Sequence, residues 1–583
     1  MITGSLRSSI TCLGPLLFAL AAPAMAAPLH QPLPVDSLEQ NGEPQPLVMH
    51  HPVSHASQTP APGGPAGGVL HKNAQAGLKR SYSGKPIDVL KYHYDSQVTG
   101  WNQSETDLTP ASVASSSFGQ LTTLNVDGNV FAEPLLVSKF QMPDGTKHDV
   151  LVVATGHNSV YAFDANDYSL LWTVNLGASQ ATGDVGCGDV QPEYGVSSTP
   201  VIVRSGPNAA TIYVVAATEP AKLSFHTQLH ALDLGTGADV TAPVEIAPSA
   251  PLSGGGTIVF DPQNQWNRAS LAYAKGSLYI GIGSHCDHSA GDISGWVLRY
   301  DPSNLSLQHA FNTVEVKQGY ELASVWMTGF APAIDNKGDV FVVTGNGAFS
   351  QKPAPRDYGE SVLKLSGDLT NVKSTFTPAN WQQLNNGDTD FGSGGVMLLP
   401  TVDGQTAPPM AVAMGKAAVL YLLDQDKLGA LKAGDSGALQ ALHVGNSGSG
   451  IWGGPAYYGS PSGGLVYAQI NGDVLRAFSV ATGAKPALTQ VATGTSAAGY
   501  GGSLPIVSSN GATSGTAVVW LIHRASTVRL EAYDAVKLGA PLFAANAGSW
   551  SGSGGNSFVT PLEANGRVYV PAYKTVTVFG LTQ

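Results

Sequence analysis

The chain has 583 residues, with 29 Lys and Arg against 41 Asp and Glu, for a formal charge of −12. That balance, with no basic cluster, argues against a nucleic-acid surface. Charged residues make up only 12% of the chain, while Gly (69) and Pro (38) are abundant. Few charges and many short β-branched runs between glycines point to an all-β protein with tight turns.

In chain order, residues 1–26 read as a secretory signal. Arg7 is the basic residue, "LGPLLFALAAP" the apolar run, and Ala24-Met25-Ala26 the cleavage pattern. The apolar run is short for a membrane span, and no later run is long and apolar enough to cross a bilayer. The expectation is a periplasmic or secreted protein with no transmembrane segment after signal removal. Residues 27–117 are rich in Pro, His and Ser and lack sustained apolar periodicity, so they read as a largely flexible leader. Its His50, His51 and His55 are read as part of a solvated linker.

From Phe118 onward a unit repeats. "YAFD" ends at Asp164, "HALD" at Asp233, "LRYD" at Asp301, "LKLS" at Ser366 and "YLLD" at Asp424. "RAFS" follows at Ser479, "EAYD" at Asp534 and "TVFG" at Gly580. A strand-like run precedes each ("VLVVAT", "TIYVVA", "SLYIGI" and so on), a third lies upstream, and a variable fourth follows. Four short antiparallel strands repeated eight times predict an eight-bladed β-propeller over 118–583. The last unit stops before its fourth strand, and "FGQLTTLNV" near the propeller's start is placed to complete it.

Without Cys12, lost with the signal, two cysteines remain. Cys187 and Cys286 are read as a disulfide in an oxidising compartment, against buried free thiols or metal ligation. "SHCDHSAGD" (284–292) is the densest cluster of potential ligands. His285, Asp287 and His288 beside Cys286 suit a metal, but a loop pinned by the disulfide is the preferred reading.

The unit "VYAFDANDYSLLWTVNLG" resembles the repeat of pyrroloquinoline-quinone (PQQ) propellers, whose Trp docks between blades. A closer resemblance is to exported bacterial PQQ-binding-like propellers. It rests on "CGDVQPEYGVSSTPVIV" (187–203), "GSHCDH" with "GWVLRYD", "VTGNGAF" (343–349) and "FGSGGVMLLP" (391–400). The resemblance implies a quinoprotein-type fold and, in catalytic members, PQQ held over a Trp with Ca²⁺ bound by Glu, Asn and Asp. The chain has neither a Cys-Cys pair nor a C-x-x-C-H haem motif, so an electron acceptor would be a separate molecule.

Propeller geometry directs the search to residues entering the first strand of each blade, where loops converge on one mouth. These include Glu193, Tyr194, Trp266, Asn267, Arg268, Trp326, Asp390, Trp452, Tyr500 and Asn556. Trp326 and Trp452 are candidate stacking platforms, with Tyr194 beside them. Arg268 is the candidate anchor for a quinone carboxylate. Glu193, Asn267 and Asp390 are candidate oxygen ligands for Ca²⁺, and Asp390 and Glu193 candidate acid–base groups. Two functions stay open: a PQQ/Ca²⁺-dependent oxidoreductase of alcohols or sugars, or a non-catalytic propeller binding a protein, glycan or envelope component.

Overall fold

The computed structural model describes residues 82–287, 293–316, 322–350, 356–445, 450–550 and 558–582. The signal reading, His50, His51, His55, His288 and Asn556 lie outside them. Eight sheets of four antiparallel strands follow one another around a ring, over 135–175, 201–245, 272–312, 333–377, 396–443, 456–497 and 506–549. We call these blades 1 to 7. Blade 8 takes three strands from 562–581 and its outermost from Phe118–Asn129. The chain's early strand therefore closes the ring, as the truncated eighth unit predicts.

The repeated Asp has a local reason. It ends the third strand, and its carboxylate accepts from the backbone N–H two residues on. Asn166 donates to Asp164 (2.7 Å), Ser303 to Asp301 (2.9 Å), Asp426 to Asp424 (2.8 Å) and Val536 to Asp534 (2.9 Å). This Asx-turn reverses the chain toward the outer strand. Trp172 of blade 1 reaches across to blade 2, where its indole N–H donates to the Leu234 carbonyl at 2.8 Å. It is the inter-blade docking that the first unit's Trp implies.

Burial follows position in the blade. Second strands such as Ser277–Ser284 are buried throughout, because both faces meet neighbouring blades, whereas Leu170–Asn175 on the outside alternates. Between blades the core is built of Val, Leu, Ile and aromatic side chains. At the centre Phe330 is fully buried, edge-on to Tyr92 (5.4 Å) and His93 (5.2 Å). A Cβ on Gly395 or Gly454 would lie 2.1 and 2.4 Å from that ring, so only glycine lets blades 5 and 6 approach it.

Residues 82–117 depart from the flexible leader expected of them. The stretch from Ile87 makes a circuit of the ring, hydrogen-bonded to the blades in turn. Ile87 N–H donates to Asn565 of blade 8, and Val89 exchanges bonds with Leu136 of blade 1. Ile202 N–H (blade 2) donates to Leu90, and Lys91 Nζ to the Tyr273 carbonyl in blade 3. Ile334, Leu398, Tyr457 and Val507 of blades 4 to 7 then donate to Ser96, Gln97, Thr99 and Gly100. Trp101–Asn102 finishes as a parallel addition to Val507–Ser508. This belt is held mostly through its backbone, with side-chain bonds at Asp88, Lys91, Tyr94 and Asn102, and bends through left-handed residues at His93, Tyr94, Val98 and Gly100. It has no amphipathic period, which is why pattern reading passes over it.

Candidate functional site

Within a blade the first strand runs away from one rim and the second returns to it. That rim therefore collects two kinds of segment: entries to first strands and turns between second and third strands. A cavity of about 440 Å³ opens there over blades 3 to 7. Its walls include Trp326, Trp452 and Tyr500 from strand entries, and Asp388 and Asp390 from the entry to blade 5. Asn346 and Lys416 come from the turns of blades 4 and 5, and Asp287 from that of blade 3.

Asp287, Asp388 and Asp390 each offer a carboxylate oxygen within 4.8 Å of the other two. Asn346 ties them together: its Nδ2 donates to Asp287 and to Asp388, both at 2.9 Å, and its backbone N–H to Asp390 at 2.9 Å. Its Oδ1 is buried with no hydrogen-bond partner. Ser284 donates to Asp287 at 2.7 Å. Lys416 Nζ pairs with Asp390 (2.5 Å) and Asp388 (3.0 Å) and lies 5.7 and 5.8 Å from the Trp326 and Trp452 rings. A Cβ on Gly345 would lie 2.5 Å from Asp390 and 2.9 Å from the Trp326 indole nitrogen, so glycine there lets both close in.

Electrostatics follow from crowding acids with one ammonium. Burial, helped by Asp287 and Asp388 and opposed by Lys416, pushes Asp390 up to about 7. Burial also raises Asp287, with Asp388 adding to it. At the exposed Asp388 burial acts the same way, but the charge of Lys416 and hydrogen bonds with Asp390, Lys416 and Asn346 together outweigh it, and the net shift is down. Burial works against Lys416's charge, yet Asp390 and Asp388 outweigh it and hold the ammonium protonated. Beneath them Glu360 is fully buried, accepts from Phe391 N–H at 2.6 Å, and leaves its other oxygen unpartnered. Burial and Asp390 raise its pKa well above the usual range. Such a surplus of oxygen donors suits a hard cation.

The disulfide forms one edge. Cys187 and Cys286 are bonded with Cα atoms 5.8 Å apart, and Cys286 lines the cavity next to Asp287. Tyr194, fully buried, supports it from behind by donating to the Cys187 carbonyl at 3.0 Å. His285 stacks on Trp266 at 5.1 Å and meets Tyr194 edge-on at 4.4 Å, so its ring is packed into the loop's base.

Of the residues singled out in the sequence, the structure brings Trp326, Trp452, Asp390 and Tyr500 to this cavity. Others go elsewhere. Arg268 is buried and donates to the carbonyls of Ser197 (2.9 Å) and Phe558 (2.8 Å), bracing blades across the centre. Asn267 is spent on Ser198, Ala269 and Gly281. Glu193 binds His157 at 2.8 Å and Ser179. Asn346 and Lys416 lie on the rim's other half, the turn after each second strand, which the strand-entry pattern does not reach; Asp388 is at a strand entry, two residues before Asp390, with no signal of its own.

Fold and site together define an eight-bladed β-propeller with an acidic, aromatic-walled cavity at one rim. No protein-family model matches the chain, and no curated protein does. Among solved structures it is similar to a quinohemoprotein alcohol dehydrogenase from Comamonas testosteroni, at 16% identity and TM-score 0.57, over 85% of this chain and 80% of that one. The alcohol dehydrogenase ADHIIG from Pseudomonas putida HK5 gives 15% and 0.54, over 85% and 80%. A europium-containing methanol dehydrogenase gives 14% and 0.52, over 80% and 86%. At these identities the likeness is one of fold.

Proposed function

We propose that the protein is an exported, quinoprotein-like oxidoreductase that binds a hard cation and PQQ in the rim cavity. It would oxidise an alcohol or sugar and pass the electrons to a separate acceptor. One observation carries this reading: three carboxylates converge beside two tryptophans in a single cavity open at the rim. The similar solved structures, two alcohol dehydrogenases and a methanol dehydrogenase, support it as analogy. Export rests on the N-terminal pattern, and the disulfide suits that compartment.

The residues present fit a cation well. Asp287, Asp388 and Asp390 supply oxygens, and the unpartnered Oδ1 of Asn346 is a further donor once the amide turns over. They fit a flat ring through Trp326, Trp452 and Tyr500. The expected carboxylate anchor, Arg268, is engaged with backbone carbonyls outside the cavity.

When bound, the quinone would take up two electrons and the cation would polarise its carbonyl. The chain's own part is proton handling and orientation. Asp390, a buried carboxylate lining the cavity, would accept the proton of a substrate hydroxyl. Lys416 holds Asp390 and Asp388 in place between the indoles. Burial, helped by Asp390, works against charge on Glu360 beneath them.

The test is titration of the mature protein with PQQ in the presence of Ca²⁺ or La³⁺, followed by quinone absorbance, then a dye-coupled screen of alcohols and sugars. The reading expects saturable binding, with turnover lost in Asp390→Asn. Absence of both binding and turnover leaves the other reading, a non-catalytic propeller that binds a small molecule or an envelope component.

A further inference from the structure

Among the described residues, Arg524 is a guanidinium at the rim without a counter-charge. Arg524 ends the second strand of blade 7 (Val518–Arg524), the position on that blade corresponding to the approaches of Asn346 and Lys416 on blades 4 and 5. Its side chain is 9% exposed, and its guanidinium carbon lies 4.9 Å from the centre of the Phe558 ring. Its Nε is buried with no hydrogen-bond partner, and no ion pair to it is found among the described residues. Other arginines are provided for: Arg204 by Asp88, Arg476 by Asp473, Arg529 by Glu531, and Arg268 by two carbonyls. Burying a cation without a partner is costly, and desolvation accordingly lowers Arg524's pKa.

Arg524 adjoins the aromatic side of the cavity. Phe558 lies 6.1 Å from Trp452 and 6.2 Å from Tyr500, and Trp452 and Tyr500 are 5.0 Å apart, all tilted by 34–40°. Tyr500, 52% exposed, feels Lys416, Asp189 and Asp388 from the cavity and Arg524 as well. The cavity thus has an acidic end whose Lys416 is already paired and an aromatic wall of Trp452 and Tyr500, and beyond that wall, across Phe558, lies a guanidinium with no ion pair among the described residues.

We infer that the ligand resting on this wall is a planar aromatic carboxylate and that Arg524 binds its carboxylate. A guanidinium forks to match both oxygens, and the Phe558 face keeps the fork in one plane. This inference rests on the cavity being a ligand site but not on the ligand being PQQ. It gives the role first sought at Arg268 to a residue on a different blade.

The experiment compares 2-naphthoate with 2-naphthalenemethanol, the same ring without the charge, by quenching of tryptophan fluorescence and by calorimetry. Wild type is expected to bind the carboxylate about tenfold more tightly than the alcohol, as charge-assisted bonds require. Arg524→Ala should remove that preference and leave alcohol binding unchanged, while Arg524→Lys should keep part of it. Unchanged melting temperature and unchanged cation binding confirm that the variants fold. Equal binding of both probes by wild type, no saturable binding of either, or a preference that survives in Arg524→Ala would overturn the inference. Naphthoate binding with no PQQ binding would remove the quinone and keep Arg524.

Discussion

The rim cavity and the belt-covered centre both bury ionisable groups, and they handle them in opposite ways. At the rim, Asp287, Asp388 and Asp390 face one another with Lys416 between them, so charge is gathered and only part-compensated. At the centre, His93 stacks flat on Tyr92 at 4.1 Å with both ring nitrogens unpartnered, and burial pushes its pKa down to about 3. Glu133, which accepts from His93 N–H at 3.1 Å, is pushed well up by burial. Burial at the centre therefore works against charge on both groups, while the rim gathers three carboxylates about one ammonium.

That contrast makes separable predictions. The largest effect on stability belongs to the centre: Phe330→Ala should cost about 3–5 kcal/mol in chemical denaturation, by cavity formation among Tyr92, His93 and the glycines. Cation affinity of the surviving folded protein should not change. Asp390→Asn should do the reverse, weakening cation binding by about 100-fold while stability holds, since it removes one of three facing carboxylates. Loss of both properties in either variant would merge the two regions.

Replacing Cys187 and Cys286 by Ser touches both properties. Opening a bridge across a sequence separation of 99 should cost about 2–5 kcal/mol. Freeing Asp287 from its bonded neighbour should lower cation affinity about tenfold in a calorimetric titration. Lys416→Met should raise affinity for a divalent cation by about tenfold, because the resident ammonium competes for Asp388 and Asp390. A fall in affinity would mean that Lys416 organises the carboxylates more than it opposes a cation.

The smallest effect is a slope. An unfolded histidine titrates near 6.5 and His93 in the fold near 3, so between those values the unfolded chain binds the extra proton. His93 therefore subtracts stability progressively as pH falls from 6.5 toward 3 and contributes nothing to the slope above 6.5. His93→Phe, which keeps the stack on Tyr92, should flatten melting temperature against pH in that window relative to wild type.

The ring was legible because its repeat is local chemistry. An Asp that accepts from the N–H two residues on reverses the chain at the end of a third strand, and it recurs at Asp164, Asp301, Asp424 and Asp534, four of the eight units. The closing strand and the disulfide were legible for similar reasons, a missing fourth strand and a cysteine count. The belt was not, since contacts such as Ser96 to Ile334 run through backbone carbonyls that any residue supplies. At the site, Trp326, Trp452 and Asp390 announce themselves by type at strand entries. Asn346 sits in "GNG", which reads as a turn between strands and is one; its amide becomes a site feature only when the ring brings Asp287 and Asp388 to it from two other blades. Arg268 shows the converse, a charged residue at the expected place that donates to the scaffold carbonyls of Ser197 and Phe558.

The central claim is that the rim cluster binds a cation beside tryptophan. Terbium tests it most directly, because Tb³⁺ takes oxygen ligands as Ca²⁺ does and its emission is sensitised by nearby indoles. Excitation of the mature protein at tryptophan wavelengths should give saturable Tb³⁺ emission, displaced by Ca²⁺ or La³⁺ and lost in Asp390→Asn. Emission that never exceeds free Tb³⁺, or that persists undiminished in Asp390→Asn, would contradict the account.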